Sequence, residues 1–100
     1  MNKEVYVISH IDVKDMKTYF KEYALKFKDI LHKYQGEVIV GTQECEVLEG
    51  ERYGNWTVVI KFPSKQHVYD CIQSKEYAPL ADLRINKLTH GGNVLMVPAS

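Results

Sequence analysis

The sequence predicts an α+β fold in which one four-stranded antiparallel sheet carries both helical segments on a single side. Three observations lead there. Strand-like and helix-like stretches follow one another in the order strand, helix, strand, strand, helix, strand. The chain has 100 residues, the length of one domain, so all six segments share one fold over residues 1–100. The strand segments are also apolar at odd and even positions alike, where a sheet wetted on one face would alternate.

Residues 4–13 read as the first strand, because Val5, Tyr6, Val7, Ile8, Ile11 and Val13 are β-branched or aromatic. Asp15 then suits a helix N-cap. Met16, Tyr19, Phe20, Tyr23, Phe27, Ile30, Leu31 and Tyr34 recur at steps of three and four, with Lys17, Lys21, Lys26, Lys28 and Lys33 mostly opposite. Gly36 reads as the stop of that long amphipathic helix. Glu37 to Leu48 reads as the second strand, with a bulge or bend at Gly41. Residues 49–55 form a turn, and Trp56 to Phe62 is the third strand, ended by Pro63. Ser64 caps a short helix with Val68, Cys71 and Ile72 inward. Helix resumes around Pro79, a residue at home only near a helix start, and runs through Leu80, Leu83, Arg84 and Leu88. Gly91-Gly92 turns the chain into a last strand, Asn93 to Pro98. This order is that of the ferredoxin-like split βαβ unit.

The two-sided apolar strands carry a consequence. Helices cover one sheet face, and no residues are left over for the other. A second copy of the chain is the simplest cover, so the sequence predicts a homodimer packed sheet face to sheet face.

Composition narrows the partners. Hydrophobic residues make up 45% and charged residues 26%, as in an ordinary globule. Thirteen basic and thirteen acidic residues cancel, and no long basic stripe exists. That argues against nucleic acid and against an anionic membrane surface. No run approaches the ~20 apolar residues of a membrane span, and the first ten residues lack a signal-peptide pattern. Cys45 and Cys71 are the only cysteines, too few for a disulfide scaffold, so a cytoplasmic protein with two reduced thiols is expected. Asn55-Trp56-Thr57 matches a glycosylation acceptor by pattern alone.

Candidate chemistry comes from topology. The end of the first strand, the start of the third and the N-terminal half of the first helix lie at one end of the molecule. His10, Tyr19, Tyr23 and Trp56 can therefore gather there, with Arg84 closing the pocket. An imidazole, two phenols, an indole and a guanidinium suit a small organic ligand, anionic or aromatic. His10 is the candidate general base and Arg84 its catalytic companion, with Tyr19, Tyr23 and Trp56 as ligand-binding residues. The competing reading makes the aromatics core, Arg84 a surface ion pair and His10 a group satisfied by backbone. His32, His67 and His90 lack metal-ligand spacing, and no Cys-x-x-Cys occurs, so no metal is expected. Ser64 and Ser74 read as caps rather than nucleophiles. Gly91-Gly92 is too short for a phosphate cradle. The lysine-rich face of the first helix, interleaved with Asp15, Glu22 and Asp29, reads as solvated surface.

The chain resembles domain-of-unknown-function family 1330, within the dimeric α/β-barrel superfamily, over nearly its whole length. The resemblance rests on Tyr6-Val7-Ile8, Asp15 followed by Tyr19 and Tyr23, Tyr34-Gln35-Gly36, Val47-Leu48-Glu49-Gly50, Phe62-Pro63-Ser64, Ser74-Lys75-Glu76-Tyr77 and Arg84. It departs at Gln35-Gly36, where the family has paired glycines, and at Gly41-Thr42-Gln43, where it has an Arg-Gly-Gly-like bend. The resemblance implies a dimeric barrel with a cavity between sheet and helices, and no established reaction. Heme-degrading relatives resemble the chain around Ser64-Lys65-Gln66 and Ile72-Gln73-Ser74, but their tryptophan and histidine fall on Cys71 and Ala81, so no heme or other cofactor is expected. Cofactor-free oxygenases and isomerases of the superfamily supply the alternative reading, with His10 as base and Tyr19, Tyr23 or Arg84 stabilising an anion.

Overall fold

A computed structural model describes residues 3–99. Strand β1 (Val5–Val13) alternates strictly. Val5, Val7, Ser9, Ile11 and Val13 are buried under the helices, and Tyr6, Ile8, His10 and Asp12 face the other way. It pairs with β3 (Trp56–Phe62) on one side and β4 (Thr89–Pro98) on the other. β2 (Glu37–Thr42) completes the sheet on the far side of β3, giving the order β2-β3-β1-β4, antiparallel throughout.

The first helical body begins at Asp15, whose carboxylate accepts from the Thr18 amide at 3.3 Å and from the Thr18 hydroxyl. It comprises α1 (Met16–Tyr19), a π-helical stretch (Phe20–Ala24) and α2 (Leu25–Lys33). Its stop is not Gly36 in the expected sense. Gln35 takes the left-handed conformation at φ 63°, and the Gly36 amide donates to the Leu31 carbonyl at 2.8 Å. Gly36 is needed for space: a Cβ there would sit 2.8 Å from Leu31 Cδ2 and 2.9 Å from Phe62 Cε1.

Ser64 caps α3 (Lys65–Ile72), accepting from the His67 amide at 3.2 Å. Then come α4 (Ala78–Leu83), with Pro79 in its first turn, and a second π-helical stretch (Arg84–Leu88). The Thr89 hydroxyl donates to the Arg84 carbonyl at 2.8 Å, tying that widened turn to the start of β4. Two buried clusters fill the interlayer space. One is built on Val5, Leu31, Phe62, Val68 and Cys71, the other on Ile11, Val13, Tyr19, Tyr23, Tyr77 and Leu80. Phe27 and Ile30 pack against both. Cys71 is wholly inaccessible, and burial raises its thiol to about 11.

Three boundaries differ from expectation. β2 ends at Thr42 rather than Leu48, because β3 starts at Trp56 and residues beyond Thr42 have no strand to pair with. The β2 bulge falls between Val38 and Val40. Gly41 instead makes room for the indole, since a Cβ would lie 3.1 Å from Trp56 Cη2. β4 begins at Thr89, so the two glycines lie within the strand. Gly92 is crossed closely by the His10 carbonyl, 2.9 Å from where its Cβ would be.

Asn55 is a clamp. Its Oδ1 accepts from the Val13 amide at 2.8 Å, its Nδ2 donates to the Val13 carbonyl at 2.9 Å, and its own amide donates to the Ile11 carbonyl at 3.0 Å. The nitrogen a glycan would need is thereby committed to the backbone.

Among the described residues no helix covers the outer sheet face. Ile8 lies there between Val59 and Leu95, and Tyr6 is paired with Val97 and Lys61. Val40 continues the row beyond Val59. Leu95, Val40 and Val97 are 51%, 42% and 38% exposed. Toward one end Lys61 meets Glu4 and Glu37 at 3.9 and 4.0 Å, and toward the other stand His10, Thr57, Thr42 and Asn93. The face is an apolar centre between polar ends.

Candidate functional site

A cavity of about 690 Å3 lies between the sheet and the helical layer, within the range of small-molecule pockets. Its floor is the inward row of β1 and β3: Val7, Ser9, Ile11, Trp56, Val58 and Ile60. Tyr19, Tyr23, Phe27, Tyr77 and Arg84 form the opposite wall. Lys28, Asp29 and His32, all exposed, stand at its opening along α2.

The aromatic wall is continuous. Tyr19 and Tyr23 rings lie 5.1 Å apart, Tyr23 and Phe27 5.4 Å, and Phe27 and Tyr77 4.9 Å. Phe20 meets the Trp56 indole edge-on at 5.0 Å. Inside this wall the Tyr23 and Tyr77 hydroxyls share a hydrogen bond of 2.7 Å, and the Arg84 guanidinium lies 5.9 Å from the Tyr23 ring centre. Burial pushes the Tyr19 phenol up to about 12, against an opposing pull from Arg84. Burial raises the Tyr23 phenol further, helped by its bond to Tyr77. Both phenols are therefore neutral at any physiological pH. Burial works against the Arg84 charge, and the oxygens of Tyr77 and Tyr23 more than offset it. The two π-helical stretches carry or flank Tyr19, Tyr23 and Arg84, a placement such widened turns often take at binding sites.

Of the sequence candidates, Tyr19, Tyr23, Trp56 and Arg84 line this one cavity. His10 does not join them. Strand parity sends Ser9 and Ile11 into the cavity and His10 through the sheet to the outer face, where its Nδ1 and the Thr57 hydroxyl are 3.1 Å apart and its ring faces Tyr53. There it lines a second cavity of about 510 Å3 beneath the 43–55 loop. The expected convergence of His10 with Arg84 is thus corrected by the two-residue period of the strand. Tyr77, on the far side of the site in sequence, is the residue the sequence reading missed. It stands between the Ser74 turn and Pro79, within Ser74-Lys75-Glu76-Tyr77, where no helical periodicity marks it as inward-facing.

The raised phenols carry a pH signature. A group whose folded pKa lies above its unfolded value stabilises the fold below the unfolded value and loses that contribution as pH rises through the folded one. For Tyr19 the window runs from about pH 10 to about 12. Urea midpoints are expected to fall with pH across that window, and less steeply in Tyr19→Phe. Parallel curves for the two proteins would exclude a buried Tyr19 phenol.

A four-stranded antiparallel sheet with order β2-β3-β1-β4 and helices on one side defines the ferredoxin-like class of α+β folds. Within that class the chain belongs to the family described as a domain of unknown function (DUF1330), whose model matches residues 4–99. Among solved structures, a protein of unknown function from Rhodopseudomonas palustris is similar with a TM-score of 0.81 and 10% identity, covering 100% of this chain and 85% of the other. SnoaB, a cofactor-independent oxygenase from Streptomyces nogalater, is similar at TM-score 0.70 and 11% identity, over 98% of this chain and 94% of its own. An uncharacterized NIPSNAP-like domain protein from Burkholderia xenovorans follows at 0.62 and 10%, covering 100% and 88%. At such identities these likenesses establish the fold alone. No curated protein matches the chain. No helix among the described residues is long and apolar enough to cross a membrane.

Proposed function

We propose that this protein is a small binding protein that holds a compact organic ligand between sheet and helices, with Tyr19, Tyr23, Trp56 and Arg84 as contact residues and Tyr77 added to them. The observation that carries this reading is the convergence of one guanidinium and three phenols on a cavity whose interior is otherwise apolar but for Ser9, with Lys28, Asp29 and His32 at its opening. Pockets built for orientation have that composition, a greasy interior with few placed polar groups. The protein works as a homodimer joined through the outer sheet face, whose apolar centre and polar ends match the anatomy of an interface. A cytoplasmic setting suits its two free thiols, one of them exposed. The oxygenase or isomerase alternative has less support, because the whole sheet separates His10 from Arg84.

Nile red, a neutral flat dye, tests the cavity. Its emission is expected to rise and shift to the blue on saturation at one dye per chain, and to lose most of that gain in Ser9→Phe, which fills the floor of the cavity. Dye binding unchanged in a folded Ser9→Phe protein would assign it to the outer face and overturn the reading.

A further inference from the structure

Resting on the cavity as the ligand site, we infer that its ligand is a monoanion with a flat apolar body, whose charged oxygen is held by Arg84 and the phenol pair Tyr23–Tyr77. The charge inventory points there first. The ion pairs of the described residues join Lys26 to Glu22, Lys33 to Glu76, and Lys61 to Glu4 and Glu37. None includes Arg84, and the groups that act on its charge are three tyrosines, with no carboxylate among them. The guanidinium keeps its charge at every accessible pH. The Tyr19 and Tyr23 phenols stay neutral, and at the opening Lys28 and Asp29 cancel. The cavity wall therefore carries one half-buried positive charge that phenol oxygens stabilise and that an anion is needed to neutralise.

Hydrogen-bond capacity agrees. A guanidinium has five N–H donors and no acceptor. Its carbon lies 5.9 Å from the Tyr23 ring centre and one N–H is engaged by the Tyr77 oxygen, which leaves further N–H donors for an oxygen ligand. The two phenols at 2.7 Å contain two hydroxyl hydrogens, and their mutual bond uses one. The other is a donor for the same oxygen. A carboxylate, an enolate or a phenolate meets this donor set. A second negative charge would find no second cation inside, and a cation would face Arg84. The flat body follows from the walls: the rings of Tyr19, Tyr23 and Phe27 are tilted by only 33° and 32° from one to the next, opposite the β-strand floor that carries Trp56.

Three compounds with one ring system separate charge from shape: naphthalene-2-carboxylate, naphthalene-2-carboxamide and 2-naphthylmethylammonium, each titrated calorimetrically into the full-length protein at low salt. The carboxylate is expected to bind about tenfold or more tightly than the amide, as a charge-assisted contact requires, and the ammonium weakest. In Arg84→Gln the carboxylate and amide are expected within about twofold of each other. Tyr77→Phe is expected to narrow the gap while leaving amide binding in place. Equal affinity for all three compounds would overturn the anion preference and leave the cavity reading standing. Failure of all three to bind would overturn both. A carboxylate preference that survives in a folded Arg84→Gln would also overturn the assignment, and if that variant does not fold, the ranking on the unaltered protein and on Arg84→Lys decides.

Discussion

Ile8→Lys is expected to convert the protein from dimer to monomer at micromolar concentration, read as a halved mass in sedimentation equilibrium. Ile8 occupies the middle of the outer sheet face, with Val59 and Leu95 as its lateral neighbours. In a two-fold dimer each substitution is made twice, so two ammonium groups would be buried against apolar partners. Burying such charges unpaired costs several kcal/mol, and about 4 kcal/mol is a thousandfold in dissociation constant. The fold of each protomer is expected to persist, because Ile8 points away from both buried clusters. Its outer neighbour Lys61, already paired with glutamates at one end of the face, serves as the control, and Lys61→Gln should leave the mass unchanged. A wild-type protein found as a stable monomer at that concentration would remove the dimer from the account.

Gly54→Ala should lower stability by roughly 3 kcal/mol or more, the tail of single-substitution effects. Gly54 adopts φ +63°, and a Cβ built there would lie 2.4 Å from the carbonyl carbon and oxygen of Ile11 and 2.7 Å from the Asp12 amide nitrogen. These are backbone atoms of a central strand, so no side-chain rotation relieves the contact. The adjacent Asn55 holds β1 by three hydrogen bonds, which prevents the turn from backing away without losing them. For a domain of this size the thermal midpoint should drop by roughly 12 °C or more. Gly50→Ala is the matched control. Gly50 also has a positive φ, 90°, yet nothing lies within 4 Å of its Cβ position, so it should lose only the backbone preference, about 1 kcal/mol. Similar losses at both glycines would refute the close-approach argument. Because Trp56 starts two residues after Gly54, any residual folded Gly54→Ala protein should also bind Nile red less well.

Much of the fold was legible because it is local. The Tyr19, Tyr23, Phe27 spacing marks a helix face, Asp15 and Ser64 mark helix starts, and Pro63 marks a strand end. β2 was overextended because Cys45 and Val47 alternate with Glu44 and Glu46 like a strand, and alternation does not reveal whether a partner strand is there. The site was half legible. Helical spacing puts Tyr19 and Tyr23 on the inner face, and the fold topology puts Trp56 below them. His10 was misplaced because β1 is apolar at both parities: with Tyr6 and Ile8 as greasy as Val5 and Val7, hydrophobicity does not say which face is covered.

The amino-acid sequence alone determined the order of strands and helices, the single antiparallel sheet and the aromatic stripe beneath the helices, since each follows from periodicity over neighbouring residues. Only the tertiary structure decided that Tyr77 meets Tyr23 across 54 positions, that Arg84 pairs with no carboxylate among the described residues, and that His10 lies beyond the sheet. Those are relations between surfaces brought together by packing, and the local pattern that makes a helix or a strand carries no record of what will stand opposite it.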